Sequence, residues 1–186
     1  MKRFLMTMVV AAVFMATSTQ AANGKMYFSG SAGVSITNDL DFPGINISFD
    51  PRFNVGGALG YDFGQFRAEG EIRYSSVDID EVNGIPSPIS ADLSALTFMA
   101  NGYYDHEMRN SSLTPYLGLG LGLVASEIAG PGGSSSETDF AYQFMAGLGF
   151  NVSPSTILTA EYRYFGIAES DAPSTHAFLF GARFMF

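Results

Sequence analysis

The chain has 186 residues, 47% of them apolar, with 21 Gly, 17 Phe and 9 Tyr but neither Cys nor Trp. Nine basic residues stand against 18 acidic ones, a balance that excludes a nucleic-acid face, which needs clustered Lys and Arg. The absence of Cys excludes a disulfide framework, a thiolate metal site and a lipid-modified cysteine.

At the N-terminus, Lys2 and Arg3 precede an apolar run from Phe4 to Ala16 and then Thr17-Ser18-Thr19-Gln20-Ala21. A charged start, an apolar stretch too short to span a bilayer and a small-residue site read as a secretory signal peptide over residues 1–21. Cleavage there leaves a single domain over residues 22–186, about 165 residues long. Without Lys2 and Arg3, seven basic residues face 18 acidic ones, a net charge near −11. No later apolar run has the length of a transmembrane helix.

The remainder of the chain is a succession of segments of about ten residues that alternate in polarity, the period of a β-strand. The first, Met26 to Thr37, sets Met26, Phe28, Val34 and Ile36 against Tyr27, Ser29, Ser31 and Ser35. In the second, Arg52 to Phe63, Phe53, Val55, Leu59 and Tyr61 oppose Arg52, Asn54, Gly56, Ala58, Gly60 and Asp62. The third, Phe66 to Val77, places Phe66, Ala68, Gly70, Ile72 and Tyr74 on one face and Arg67, Glu69, Glu71 and Arg73 on the other. Four charges on one face and none on its opposite do not suit a soluble sandwich core.

The fourth segment, Ser94 to Asp105, turns Leu96, Phe98 and Tyr104 outward. The fifth, Pro115 to Val124, alternates Leu117, Leu119, Leu121 and Leu123 with Tyr116, Gly118, Gly120 and Gly122. Phe140 to Val152 and Thr156 to Phe165 form the sixth and seventh, the latter with Glu161 and Arg163 on its inner face. The eighth is His176 to Phe186. Links at Gly64-Gln65, His106 to Thr114 and Ser153 to Ser155 are tight, whereas Asn38 to Pro51, Asp78 to Leu93, Ala125 to Asp139 and Gly166 to Thr175 are longer and polar. Eight alternating strands with this asymmetry predict an all-β, antiparallel, transmembrane barrel of outer-membrane type, with short periplasmic turns and longer outer loops.

The stretches Thr114-Pro115-Tyr116-Leu117-Gly118-Leu119-Gly120-Leu121-Gly122, Phe140-Ala141-Tyr142-Gln143-Phe144-Met145-Ala146-Gly147-Leu148-Gly149 and Glu161-Tyr162-Arg163-Tyr164 carry a resemblance. The chain resembles the small eight-stranded outer-membrane barrels, namely the OmpA-like transmembrane domain and the opacity-type surface proteins, over essentially all of residues 22–186. That resemblance implies a bacterial outer-membrane location and contact with outer-membrane lipid and lipopolysaccharide. It also implies a structural or surface-interaction role, adhesin-like or antigenic, with loops available to a host or surface ligand, and a monomer without nucleic acid. The periplasmic peptidoglycan-binding domain of larger relatives is missing from the sequence, so a cell-wall tether is not expected.

The inward set comprises Arg52, Asp62, Arg67, Glu69, Glu71, Arg73, Asp105, Glu161, Arg163 and Arg183. If Gly64-Gln65 is a two-residue hairpin turn, Asp62 faces Arg67, Gly60 faces Glu69, Ala58 faces Glu71 and Gly56 faces Arg73. Small residues opposite long ones suit a barrel whose interior is just wide enough for side chains. Mixed signs on neighbouring strands favour a salt-bridged plug over an ion path, because buried charges need paired, hydrogen-bonded partners. The alternatives are a small conducting pore and a lipid A-modifying enzyme. His176 lies near Ser174, Asp171 and Glu169, but no motif of the lipid A deacylases or palmitoyltransferases surrounds it, and a catalytic triad needs mutual hydrogen-bond reach. His106 is too far along the chain to complete a metal cluster with it, and no cofactor, metal site or catalytic residue is expected. Gly181, Phe184 and Phe186 match the spacing of the C-terminal signal that similar barrels present to the outer-membrane assembly machinery, although Leu179 stands where that signal usually has a polar residue. Asp39, Asp41, Asp50, Asp78, Asp80, Glu81, Asp92, Glu127, Glu137, Asp139, Glu169 and Asp171 fall on the loop side, where Arg52 is the single basic residue.

Overall fold

The computed structural model describes residues 24–37, 40–42, 45–47, 52–78, 81–82, 85–86, 92–130, 133–168 and 174–186. The segment read as a signal peptide lies outside them, as do Asp39, Asp50, Asp80, Glu169 and Asp171. Twelve strands occur among the described residues: β1 (Lys25–Thr37), β2 (Leu40–Phe42), β3 (Ile45–Ile47), β4 (Arg52–Asp62), β5 (Phe66–Asp78), β6 (Glu81–Val82), β7 (Ile85–Pro86), β8 (Asp92–Asp105), β9 (Leu113–Gly130), β10 (Gly133–Ser153), β11 (Thr156–Ile167) and β12 (Thr175–Met185). Eight of them close into an antiparallel barrel in the order β1-β12-β11-β10-β9-β8-β5-β4, while β2-β3 and β6-β7 are separate two-stranded ladders. Closure is made by β1 on β12, from Tyr27 opposite Met185 to Thr37 opposite Thr175. A closed barrel leaves no lateral edge with unpaired backbone groups, the condition for crossing a bilayer with strands.

Burial is inverted relative to a soluble protein. Leu117, Leu119, Leu121, Phe144 and Phe180 on the outer wall are more than half exposed, whereas Arg67, Glu71, Arg163 and Arg183 inside are buried. An apolar belt that runs round the whole barrel far exceeds the few-hundred-Å² patch a soluble monomer tolerates, and lipid is the solvent that such a wall requires.

The register between β4 and β5 sets Gly56 opposite Arg73, Ala58 opposite Glu71, Gly60 opposite Glu69 and Asp62 opposite Arg67. These are the pairs expected from the hairpin. Gly64 makes the turn possible, since its φ of 100° lies where residues with a Cβ are strained, and the Phe63 amide donates to the Phe66 carbonyl at 2.8 Å. Tyrosines occupy the space that glycines leave on the next strand. Tyr27 lies opposite Gly60 and Tyr116 opposite Gly147, and a Cβ at either glycine would collide with the tyrosine ring. Tyr103 covers Gly118 in the same way, its ring 2.5 Å from where a Cβ would stand.

Two boundaries differ from expectation. The stretch from Ala125 to Asp139, read as a loop, continues the β9–β10 ladder out to Gly130 opposite Gly133, with β8 paired to β9 as far as Asp92 opposite Ala129. Within the links Asn38 to Pro51 and Asp78 to Leu93, the short ladders β2-β3 and β6-β7 form where no strand was expected.

Candidate functional site in the barrel lumen

Inward positions on every strand converge on a lumen whose contents change from one end to the other. Toward the turn end, Arg67 binds Asp105 with two hydrogen bonds, Nε at 2.7 Å and Nη2 at 3.0 Å. Its guanidinium sits among three tyrosine rings, 4.3 Å from the centroid of Tyr103, 5.1 Å from Tyr116 and 5.8 Å from Tyr27. Aromatic faces attract a cation most when water is excluded. Arg183 joins the cluster, 3.7 Å from the Asp105 carboxylate and 5.3 Å from the Tyr27 ring.

The middle of the lumen is organised by two carboxylates on β5. Glu69 accepts from neutral donors: the hydroxyls of Tyr27 at 2.9 Å and Tyr103 at 2.7 Å, and the amide of Asn101 at 3.1 Å. Glu71 instead takes charged donors. Arg163 Nη1 reaches both its oxygens, at 2.8 and 2.9 Å, and Arg73 Nη2 also donates to it. Asn101 donates to Glu71 at 2.8 Å and Gln143 at 3.3 Å. Arg163 is tied back to Glu161 on its own strand at 2.7 Å, and Tyr116 donates to that same carboxylate at 3.1 Å. Because β8, β9 and β10 separate β5 from β11 around the wall, the Glu71–Arg163 bond crosses the interior.

These groups balance: Arg67, Arg73, Arg163 and Arg183 against Glu69, Glu71, Asp105 and Glu161. Toward the loop end the filling is apolar on the β8–β11 side, with Met99, Val124 and Ala141 packed together and Ala95, Phe165 and Ile167 against them, and polar on the β1–β4 side, where buried Asn54 donates to the Ser35 hydroxyl at 2.8 Å. The space left among the mid-lumen side chains is a cavity of about 40 Å³, room for roughly three waters. Arg73, buried beside it, uses Nη2 on Glu71 and Ser31, and its Nε and Nη1 have no hydrogen-bond partner among the described residues.

Arg67, Glu69, Glu71, Arg73, Asp105, Glu161, Arg163 and Arg183 are brought together, and two members of the expected inward set are not. Asp62 is spent locally, accepting the Gly64 amide at 2.7 Å in the exposed turn, because a carboxylate two residues before a glycine amide closes the turn more readily than it reaches the lumen. Arg52 stands half-buried at the loop end of β4, away from the central cluster. The cluster also includes Tyr27, Asn101, Tyr103, Tyr116 and Gln143, which a search for charges alone passes over. Their signal was parity, since each is a polar residue at an inward position of an alternating strand. Gln143 and Tyr27 are the largest fully buried side chains described.

At the C-terminal strand, Gly181 faces inward with the Gly30 carbonyl 2.5 Å from where a Cβ would be. Phe184 and Phe186 point out, and the Phe186 amide donates to the Met26 carbonyl at 2.9 Å. Leu179 is 2% exposed, an apolar inward residue. His106 lies in the exposed link between β8 and β9, while His176 sits on the outer wall with Nδ1 2.6 Å from the Tyr162 hydroxyl.

Known proteins agree with this architecture. The Salmonella typhimurium outer membrane protein PagN is 24% identical to this chain over 215 residues, covering 95% of the chain and 88% of that protein. Among solved structures, Neisserial surface protein A matches with a TM-score of 0.69 at 18% identity, over 88% of this chain and 99% of its own. Ail, the attachment invasion locus protein of Yersinia pestis, solved with the heparin analogue sucrose octasulfate, matches with a TM-score of 0.60 at 19% identity, again over 88% and 99%. The family model for the outer membrane protein beta-barrel domain matches residues 6–186. With that match and an apolar outer wall that demands lipid, the chain belongs to the outer membrane protein beta-barrel domain family and is an integral protein of the bacterial outer membrane.

Proposed function

We propose that the barrel is a sealed, non-catalytic anchor that presents its loops for surface interaction, in the manner of an adhesin or antigen. The observation that carries the reading is the Glu71–Arg163 bond across the lumen, at 2.8 Å with both side chains buried. A charge pair that binds one wall to its opposite, with Met99, Val124 and Ala141 packed beyond it on one side and the hydrogen-bonded Ser35 and Asn54 on the other, opposes passage of a hydrated ion. Catalysis is disfavoured because His176 Nδ1, the nitrogen that a catalytic acid would hold, is engaged by Tyr162.

Function then resides in the loop end. Ail was solved with a sulfated heparin analogue, but the charge of this chain favours a different ligand class. The segments 38–51, 79–91, 125–139 and 166–175 contain no Lys or Arg and carry most of the acidic residues. Such a rim repels sulfated polyanions and attracts cationic partners in a salt-dependent way. The test compares adherence to host cells of a deletion strain, the complemented strain, and a strain complemented with Asp39, Asp41, Asp78, Asp80 and Glu81 neutralised. Adherence that needs the protein and falls on neutralisation supports the reading; equal adherence of all three removes it. Stepwise conductance of the purified barrel in planar bilayers would replace it with the pore, and altered lipid A mass spectra in the complemented strain with a modifying enzyme.

A further inference from the structure

The space left in the lumen lies against one arc of the wall. On β4, β1, β12 and β11 the residues that meet at mid-height are mostly small: Ser29 lies opposite Ala58 and Arg183, Ser31 opposite Gly56 and Gly181, and Gly181 opposite Thr159. The other arc is filled by Tyr103, Tyr116 and Met145. The cavity of about 40 Å³ borders Ser29, Ser31 and Thr159 together with Arg73 and Arg183. Neither the bond that crosses the lumen nor the loops make use of it.

Donors outnumber acceptors around this space. Arg183 is buried, yet its guanidinium makes no hydrogen bond among the described residues. The Asp105 carboxylate is 3.7 Å from its Nη1 and is already held by Arg67 at 2.7 and 3.0 Å. Arg73 spends only Nη2, on Glu71 and Ser31. The hydroxyls of Ser29 and Thr159 border the cavity without a side-chain partner among the described residues. The carboxylates that also border it are occupied: Glu69 by Tyr27, Tyr103 and Asn101, Glu71 by Arg73, Arg163 and Asn101, and Glu161 by Arg163 and Tyr116. A buried guanidinium demands an acceptor, and no side chain within reach has one to spare.

We propose that this cavity is a binding site for a small monovalent anion of the chloride type, held by the Arg183 guanidinium and the hydroxyls of Ser29 and Thr159, with the charge of Arg73 beside them. Guanidinium offers donors and no acceptor, and each hydroxyl can turn its proton to the same point. Bonds in which the donor is charged are about twice as strong as neutral ones, and the low dielectric of a packed lumen adds to the attraction. Size and charge set the class of ligand. Room for roughly three waters admits a halide with a water or two and excludes a sugar or a lipid headgroup. The eight charged groups balance over the whole lumen, but Glu69 is turned to three neutral donors, so one negative charge at Arg183 supplies what Asp105 and Glu69 withhold. A polyvalent anion would bring more charge than Arg183 leaves uncompensated.

The test refolds the barrel from urea into detergent micelles in sodium bromide or in sodium gluconate at equal ionic strength. Crystals grown in bromide should show one anomalous peak in the lumen, beside Arg183, Ser29 and Thr159. The urea midpoint should rise with bromide concentration and stay flat in gluconate, because an ion that binds only the folded state stabilises it by mass action. Ser29→Ala combined with Thr159→Val removes two neutral donors and leaves every charge in place; the affinity for bromide, read from the concentration dependence of the midpoint, should fall about tenfold. Arg183→Met should abolish the dependence, with an unboiled gel shift to check that it folds; if it does not fold, the double variant decides. No anomalous peak in the lumen overturns the proposal and makes water the content of the cavity. A peak whose midpoint ignores bromide, or equal affinity in the wild type and the double variant, means an adventitious ion only and overturns it as well.

Discussion

Glu71 is the carboxylate on which the lumen depends, and Glu71→Gln isolates that dependence with almost no change in volume. The glutamine keeps one acceptor oxygen for Asn101 or Gln143 but withdraws the negative charge from two guanidinium groups. Arg163 retains Glu161, bound through Nε at 3.0 Å and Nη2 at 2.7 Å. Among the described residues, Arg73 retains only the hydrogen bond to the Ser31 hydroxyl at 3.2 Å, with Nε and Nη1 already lacking partners there. The substitution therefore leaves one buried cation without its counter-ion, a loss of about 3–5 kcal/mol. With a urea m-value of roughly 1–3 kcal/mol/M, the midpoint should fall by about 1 M or more. Glu69→Gln is the matched control, because Glu69 accepts from Tyr27, Tyr103 and Asn101 and from no guanidinium; its cost should be about 1–3 kcal/mol, that of hydrogen bonds to a charged acceptor. Replacing Arg73 by Met in the Glu71→Gln background should recover part of the loss by removing the stranded charge. Equilibrium unfolding in lipid vesicles decides the matter. Equal midpoints for wild type and Glu71→Gln would mean that water already solvates these groups, and the sealed lumen would fall with it.

Gly118→Val should destabilise the barrel, since its Cβ meets the Tyr103 ring at 2.5 Å, and adding Tyr103→Ala should relieve the clash; unfolding midpoints of the single and double variants check this. Deleting Phe186 should lower outer-membrane levels in cells while changing the refolded midpoint little, because that side chain is 71% exposed and packs on nothing inside; equal surface levels by immunoblot would count against an assembly role for Gly181, Phe184 and Phe186. The acidic loop side should bind Ca²⁺ or Mg²⁺ weakly and lose that binding in salt, without a high-affinity site, as no EF-hand spacing is present; calorimetry at low and high ionic strength reads it, and heat that survives neutralisation of Asp78, Asp80 and Glu81 would refute it.

Period-two alternation was enough, from sequence alone, to give the eight strands, their faces and the β4–β5 register, because in lipid each outward position must be apolar and each inward one is released from that demand. Gly64 pinned the hairpin, and the pairs Gly56–Arg73, Ala58–Glu71 and Gly60–Glu69 came from counting outward from it. The same signal failed beyond the barrel rim. From Ala125 to Asp139 the sequence has no apolar–polar alternation, so it reads as a loop although the backbone pairing of β9 with β10 continues to Gly130 opposite Gly133. The set of inward charges was also legible, but its wiring was not. Glu71 and Arg163 are 92 residues apart and meet because closure and strand tilt bring opposite walls to a common height, a relation no local pattern encodes. Asp62 went the other way, captured by the Gly64 amide before it could reach the lumen. Tyr27, Tyr103 and Tyr116 took their places around Arg67 because glycines on the neighbouring strands left them room, a complementarity that exists only once the strands are paired.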